Sequence, residues 1–124
     1  MIIGIGFDLV STDRIQRAVS DHGAFFSNRI LTEAERRDIE ESADPIEDFA
    51  IRFAAKEACL KALGTGWQHG VAFKDVEVRG SAGKLSIQLD GGAAARSREL
   101  AVRSISLSTT RKGAAVAAYV MLEG

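Results

Sequence analysis

The sequence predicts an α+β fold in which a mostly antiparallel sheet packs around one long helix. Three observations support this prediction. Residues 2–9 alternate with the period of two that is typical of a strand. Residues 45–63 form the longest helical pattern, which starts with a Pro after a capping Asp and stops before a glycine. Beyond residue 66 the period of two returns, in short segments separated by glycine-containing turns.

Composition limits the class of protein. The 124 residues suit one domain, residues 1–124, and 46% of them are apolar, which is enough for a core. A net charge of -1 argues against binding to nucleic acid or membrane surfaces through overall charge, so an acidic partner requires a local basic patch. The single cysteine, Cys59, excludes an internal disulfide and suits a reducing compartment. Because neither a signal-peptide pattern nor a membrane-spanning stretch is evident, we expect a cytoplasmic protein.

The first strand has a face of small residues. Gly4 and Gly6 share this face with Asp8, so a helix or another backbone can approach the strand closely there. Ser11 or Thr12 then caps the first helix. Taken alone, Asp8 fits an ordinary turn or cap residue just before that helix.

The following segment predicts two short elements. Phe25 and Phe26 are expected to enter the core from a short turn or helix. Thr32 and Glu35 match a capping box at the start of another helix. Because nearly all residues after this box are polar, we expect that helix to be exposed.

The second half of the chain returns to strands. It predicts strands at residues 76–79, 85–89, 105–107 and 114–122, with one short helix at residues 92–101. The last of these segments is apolar on both faces, which is typical of a strand with neighbours on both sides. We therefore expect it to be central in the sheet.

The long helix carries a carboxylate within its apolar stripe, because Glu57 lies four residues after Phe53 and three before Leu60. Burying a carboxylate costs on the order of several kcal/mol unless a cation or a proton compensates it. Lys61 follows one turn later, so the simplest interpretation is a surface ion pair between Glu57 and Lys61. Alternatively, Glu57 and Asp8 together hold Mg²⁺, which completes its shell with water and substrate phosphates, and Lys61 contacts the same phosphates.

Two motifs resemble the holo-acyl-carrier-protein synthase family. The start GIGFDLV is followed by Arg14, and the segment RFAAKEACLKALGTG contains the pattern F-x-x-K-E-A-x-x-K-A, here Phe53 to Ala62. The likeness covers essentially the whole chain in the same order. It implies a phosphopantetheinyl transferase that moves the phosphopantetheine arm of coenzyme A onto a serine of an apo acyl-carrier protein and releases adenosine 3′,5′-bisphosphate. It also implies Mg²⁺ dependence and an α+β homotrimer with active sites at the subunit junctions.

The resemblance also implies roles for individual residues. Asp8 and Glu57 match the metal ligands of the family, and Lys61 matches the lysine near the coenzyme A phosphates. Arg14 matches the basic residue that docks the acidic helix of the carrier. The loop that lies along the cofactor matches Gly64, Thr65 and Gly66. Glu57 or a metal-bound water would take the proton of the carrier serine.

Three positions depart from the family pattern. Ser104 and Thr109 stand where the family commonly has histidines, and Leu85 stands in the place of a proline. A catalytically impaired relative that binds coenzyme A or the carrier is therefore an alternative to an active transferase. An unrelated Mg²⁺-dependent phosphohydrolase is a weaker alternative. The motifs leave open whether the carrier serves fatty-acid, polyketide or peptide synthesis.

Overall fold

Five strands and five α-helices run through the part of the chain that the computed structural model describes, residues 1–66, 70–81 and 83–124. In chain order they are β1 (Ile2–Ser11), α1 (Thr12–His22), α2 (Ala24–Ile30), α3 (Glu33–Glu40), α4 (Pro45–Leu63), β2 (Val76–Arg79), β3 (Ser86–Leu89), α5 (Gly91–Glu99), β4 (Ser104–Lys112) and β5 (Ala115–Glu123). A short 3₁₀ turn at Phe73–Asp75 precedes β2. The sequence favours packing for Trp67 over shielding of a bound cofactor, leaves His69 isolated without the spacing of zinc ligands, and predicts a turn that includes Ala82. These three residues lie outside the described part of the chain.

The strand β5 is the centre of a three-stranded antiparallel sheet with the order β1-β5-β4. Strands β2 and β3 form a separate antiparallel pair. Alternate side chains of β5, from Val116 to Leu122, are buried on the side of the sheet that packs against α4. This arrangement confirms the α+β prediction and the prediction that the apolar closing strand is central.

Glycines bring β1 against α4. A Cβ atom built at Gly6 would lie 1.7 Å from the carbonyl oxygen of Ala58, and one built at Gly4 would lie 2.2 Å from that of Ala62. Any larger residue at either position would force the strand away from the helix. The predicted close approach on the small-residue face of β1 is therefore confirmed.

Asp8 lies inside β1 and not at its end. The strand continues to Ser11, which still pairs with Ala115 of β5. The side chain of Ser11 then caps α1 by accepting a hydrogen bond from the backbone N–H of Asp13 at 3.1 Å. The interpretation of Asp8 as a turn or cap residue is wrong, because the sheet pairing extends the strand beyond it.

Two expectations for the segment before α4 need correction. The capping box of Thr32 and Glu35 forms as predicted, but α3 is not simply exposed, because the Glu35 side chain is 0% exposed. A buried ammonium on α4 neutralises it, which the local polar pattern does not reveal. Phe26 stacks on Phe49 at 5.4 Å between ring centroids, as expected for a core residue, whereas Phe25 is 73% exposed. The short helix α2 can turn only one of these neighbours inward.

The helix α4 is enclosed on more sides than its apolar stripe predicts. Arg52 and Lys56 are charged residues of this helix, yet both are buried. The sheet covers one side of the helix, and α1, α3 and β2 cover others. Cys59 lies in the core, where burial raises the pKa of its thiol to about 12. Within the described ranges, each helix is too short or too polar to cross a bilayer.

Candidate active site

Asp8 and Lys61 meet where β1 packs against α4. The Lys61 Nζ atom lies 2.9 Å from Asp8 Oδ1 and donates a hydrogen bond to the carbonyl oxygen of Phe7 at 3.1 Å. The Lys61 side chain is 52% exposed, whereas that of Asp8 is 15% exposed. The simplest interpretation, an ion pair between Glu57 and Lys61 along the helix, is wrong for these described residues. The glycine face of β1 brings the Asp8 carboxylate within reach, and Lys61 pairs with it.

Glu57 lies half-buried on α4, one turn before Lys61. Burial raises the pKa of its carboxyl group, and the neighbouring Asp8 carboxylate raises that pKa further. The positive charges of Lys61 and Arg14 act in the opposite direction without cancelling the effect. A carboxylate with a raised pKa has too little positive charge around it, which favours the binding of a cation or a proton.

Asp8 and Glu57 together offer a two-carboxylate donor set. Groups of three or more His, Cys, Asp or Glu side chains that could hold a metal ion are absent from the described residues. A closed site for Zn²⁺ or Ca²⁺ requires more protein ligands, whereas Mg²⁺ is held by one or two carboxylates together with waters and substrate phosphates. The residues present therefore fit an open Mg²⁺ site that a phosphate-bearing substrate completes.

An aromatic cavity of about 360 Å³ opens beside Glu57, and its walls include Phe53 and Phe73. These two rings stack with 5.7 Å between their centroids. The Arg14 guanidinium lies 5.7 Å from the centroid of the Phe53 ring, and Arg29 also lines the cavity. The half-buried carboxylate and the two arginines therefore line the same cavity, which also has an apolar, aromatic wall.

The loop at the end of α4 contains the predicted cofactor-binding residues. Gly64 has a left-handed backbone with φ of 76°, which a glycine adopts without steric cost, so the predicted helix stop is confirmed. A second cavity, of about 380 Å³, borders Gly64, Thr65 and Arg96. Gly66 continues the loop with φ of 55°. Glu57 lies seven residues earlier on α4, roughly 10 Å away along the helix axis. The loop therefore lies beyond the two carboxylates, at the end of the helix, and is not part of the same cluster.

The two positions that lack the family's histidines lie apart from the carboxylates of the same chain. Thr109 shares a row of the sheet with Ala118 and Asp8, two strands and therefore roughly 10 Å from Asp8. Ser104 pairs with Glu123 at the other end of β4, roughly 20 Å from Asp8 by the same strand geometry. Leu85 packs half-buried against the core.

Several residues of this region were not predicted from the sequence. Phe73 reaches the aromatic cavity from a distant segment, and Phe25 lines it from α2. One sequence feature indicated an aromatic surface beside Glu57, because Phe53 and Glu57 are four residues apart on one helix and share a face. A further cavity, of about 460 Å³, lies among acidic residues such as Asp48 and contains none of the predicted site residues.

Comparison with known proteins gives consistent matches along the whole chain. The family model of the 4′-phosphopantetheinyl transferase superfamily matches residues 4–119. A holo-[acyl-carrier-protein] synthase of Solibacter usitatus is 46% identical over 99% of each sequence. The crystal structure of the Neisseria meningitidis holo-[acyl-carrier-protein] synthase superposes with a TM-score of 0.90 at 37% identity and full coverage of both chains. The Helicobacter pylori synthase in complex with coenzyme A has a TM-score of 0.83 at 28% identity, covering 96% of this chain and 99% of that one.

The α+β fold and the family match over residues 4–119 show that the domain is of the 4′-phosphopantetheinyl transferase class. Within that superfamily, the chain belongs to the holo-[acyl-carrier-protein] synthase family. The resemblance first seen in the two sequence motifs is thereby confirmed over the whole chain. Membership also excludes the interpretation of the chain as an unrelated phosphohydrolase.

Proposed function

We propose that this transferase is active and depends on Mg²⁺. It moves the 4′-phosphopantetheine group of coenzyme A to a serine of an apo acyl-carrier protein and releases adenosine 3′,5′-bisphosphate. The observation that carries the proposal is the meeting of Asp8, Glu57 and Lys61 beside a cavity that Arg14 also lines. The coenzyme A complex of the Helicobacter pylori relative supports the choice of substrate.

Asp8 and Glu57 are the residues that would hold the Mg²⁺ ion. When bound, the ion neutralises charge on the oxygens of the coenzyme A pyrophosphate. The raised pKa of Glu57 supports this assignment, because a nearby cation would relieve both the burial of its carboxylate and the repulsion from Asp8. Lys61 is half-exposed on a flexible stem, so its ammonium can exchange Asp8 for a substrate phosphate oxygen.

The transfer requires one bond to form and one to break. The serine hydroxyl oxygen of the carrier bonds to the phosphorus next to the pantetheine arm. The bond from that phosphorus to the leaving oxygen of adenosine 3′,5′-bisphosphate breaks. Glu57 accepts the hydroxyl proton directly or through a water, because its carboxylate lines the cavity beside the reacting phosphates. Lys61 donates hydrogen bonds to the phosphoryl oxygens and so stabilises the charge that moves to the leaving group.

Arg14 is the residue proposed to dock the carrier. It is exposed on α1, and its guanidinium stays close to the aromatic cavity through its contact with Phe53. The net charge of -1 supplies no general attraction for an acidic carrier, so a local basic group has to steer it. Arg29, which lines the same cavity from α2, extends the basic region.

The active assembly is proposed to be a homotrimer in the cytoplasm. The side of the sheet away from α4 exposes Ile5, Phe7, Leu9 and Tyr119. These side chains form one apolar face, which is larger than the single exposed apolar residues that are normal on a protein surface. The family resemblance supplies the number three. Phe7→Glu is expected to place a charge in this face and to produce monomers with reduced transfer, as measured by light scattering and the transfer assay. A monomer for the unmodified chain at working concentration would contradict the proposal.

The decisive experiment weighs an apo carrier by mass spectrometry after incubation with the protein, coenzyme A and Mg²⁺. Addition of the phosphopantetheine mass supports the active transferase, and its loss on chelation of Mg²⁺ supports the metal. Binding of coenzyme A without addition to any apo carrier would favour the impaired relative instead. Apo carriers from fatty-acid, polyketide and peptide synthesis, tested in parallel, identify the preferred class.

A further inference from the structure

Glu35 and Lys56 form an ion pair that is closed off from solvent. The Lys56 Nζ atom lies 2.8 Å from Glu35 Oε1, and the two side chains are 1% exposed or less. The same ammonium donates hydrogen bonds to the carbonyl oxygens of Phe73, at 3.1 Å, and Val76. The other carboxylate oxygen of Glu35 accepts a hydrogen bond from the backbone N–H of Val78 at 3.0 Å. The pair therefore binds the backbone of the segment 73–78 at three points.

Stability alone does not explain such a pair. Removing two charges from water is costly, and apolar replacements of similar volume are often equally stable or more stable. What apolar side chains cannot replace is the direction of the hydrogen bonds to the segment 73–78.

The segment held by the pair carries one wall of the aromatic cavity. Phe73 lies at its start, stacks on Phe53 and faces the same cavity as Glu57. Phe53 in turn carries the guanidinium of Arg14. Lys56 thus fixes the backbone of Phe73 from behind the wall, while the next residue of α4, Glu57, faces the cavity itself.

We propose that Lys56 and Glu35 are positioning residues for the transfer reaction, which hold the Phe73 wall at the distance from Glu57 that the incoming carrier segment requires. The inference rests on the proposed docking of the carrier at this cavity. Neither residue touches the reacting atoms. Their effect therefore falls on the use of the carrier, and the use of coenzyme A at the Lys61 end of the site is unaffected.

Arg52 provides a matched control. It lies one turn before Lys56 on α4, its side chain is 1% exposed, and it also binds the backbone of β2, through the carbonyl oxygens of Val78 and Gly80. Its ion pairs with Asp48 and Asp38 lie on the side of the acidic cavity, away from Phe73. Arg52→Met therefore removes a comparable buried cation that binds the Val78 end of β2 and makes no hydrogen bond to Phe73 or Val76.

The test measures KM for an apo carrier, KM for coenzyme A, kcat and the free energy of unfolding in four variants. These are Phe73→Ala, Glu35→Gln, Glu35→Gln with Lys56→Met, and Arg52→Met. The first three are expected to raise the carrier KM roughly tenfold, because a carrier that loses part of its contact with the Phe73 wall binds more weakly, and tenfold corresponds to about 1.4 kcal/mol of binding free energy. Their KM for coenzyme A should stay within about twofold of the unmodified enzyme. Arg52→Met should lower stability and leave both KM values unchanged.

The proposal is overturned if the pair variants lose only stability, as Arg52→Met does, or if Phe73→Ala leaves the carrier KM unchanged. Glu35→Gln keeps the shape of the side chain, so it decides the question if the double variant does not fold. Arg14→Glu separates the two levels of the argument. If this reversal leaves the carrier KM unchanged, the docking site fails. If it raises the carrier KM while the pair variants do not, only the positioning role fails.

Discussion

Gly6→Ala tests the contact that assembles the site. The new Cβ would lie 1.7 Å from the carbonyl oxygen of Ala58 and 2.9 Å from the backbone nitrogen of Ala62. Both are main-chain atoms of α4, so no side chain can turn away to make room. Ordinary contact requires β1 and α4 to separate by roughly 1.5–2 Å at this point. Asp8 follows two residues later on the same face, so its 2.9 Å contact with Lys61 should be lost.

The expected cost has two parts. Overpacking a core typically destabilises by about 1–3 kcal/mol, and a clash with main chain belongs at or above the upper end of that range. For a chain of this length, that corresponds to a fall in Tm of roughly 10 °C. Transfer by the folded fraction should fall by at least about tenfold, because Asp8 is displaced by more than 1 Å from Glu57 and Lys61. Denaturant unfolding and the carrier mass assay measure the two parts separately.

Gly113→Ala is the matched control. Gly113 has a left-handed backbone with φ of 59°, which Gly6 does not have, but nothing lies within 4 Å of its added Cβ, so this control has no contact with α4 to lose. It should cost about 1 kcal/mol and leave transfer unchanged. If Gly6→Ala matched the unmodified enzyme in both unfolding and transfer, the close packing of β1 on α4 would be refuted.

The remaining predictions concern the chemistry and the carrier. Asp8→Ala and Glu57→Gln should each reduce transfer by at least about 100-fold without unfolding the protein, since both remove a metal ligand and neither completes the core; near-normal transfer by Glu57→Gln, read by the mass assay, would refute the metal assignment. Arg14→Glu should raise the carrier KM roughly tenfold and leave that for coenzyme A nearly unchanged, and transfer by the unmodified enzyme should weaken as salt rises; an unchanged carrier KM would move the docking site elsewhere. Transfer should be measurable without the histidines, and Ser104→His with Thr109→His should increase it only modestly, because general-base assistance contributes about 10²–10⁴-fold and Glu57 is placed to supply it. Activity that appears only in the double variant would instead support an impaired relative.

Most of the fold follows from signals between near neighbours in the sequence. The alternation in β1, the capping box at Thr32 and the stop at Gly64 each depend on a few adjacent residues, and each is confirmed. The alternation predicts the end of β1 two residues early, because pairing with β5 continues through Ser11. That pairing joins residues at opposite ends of the chain, which local patterns do not report.

The candidate site was only partly accessible to the same reasoning. Glu57 could be singled out because a carboxylate in an apolar stripe is costly, and the family motifs connected it to Asp8. Pattern alone favoured a pair between Glu57 and Lys61, whereas Lys61 pairs with a carboxylate 53 residues away in the sequence. The burial of Glu35 had no local signal, since its partner on α4 lies 21 residues later.

The sequence by itself determined the order of strands and helices, the central place of β5 and the membership of the family. Periodicity, helix caps and glycine stops depend on residues within one or two turns of one another, and family motifs depend on the order of residues. Both kinds of signal can therefore be recognised in the sequence alone. Only the tertiary structure decided that Asp8 contacts Lys61, that Phe73 forms one wall of the cavity beside Glu57 and that a buried ion pair lies behind that wall. These are contacts between distant segments, set by how closely a glycine-lined strand and a nearly enclosed helix can pack.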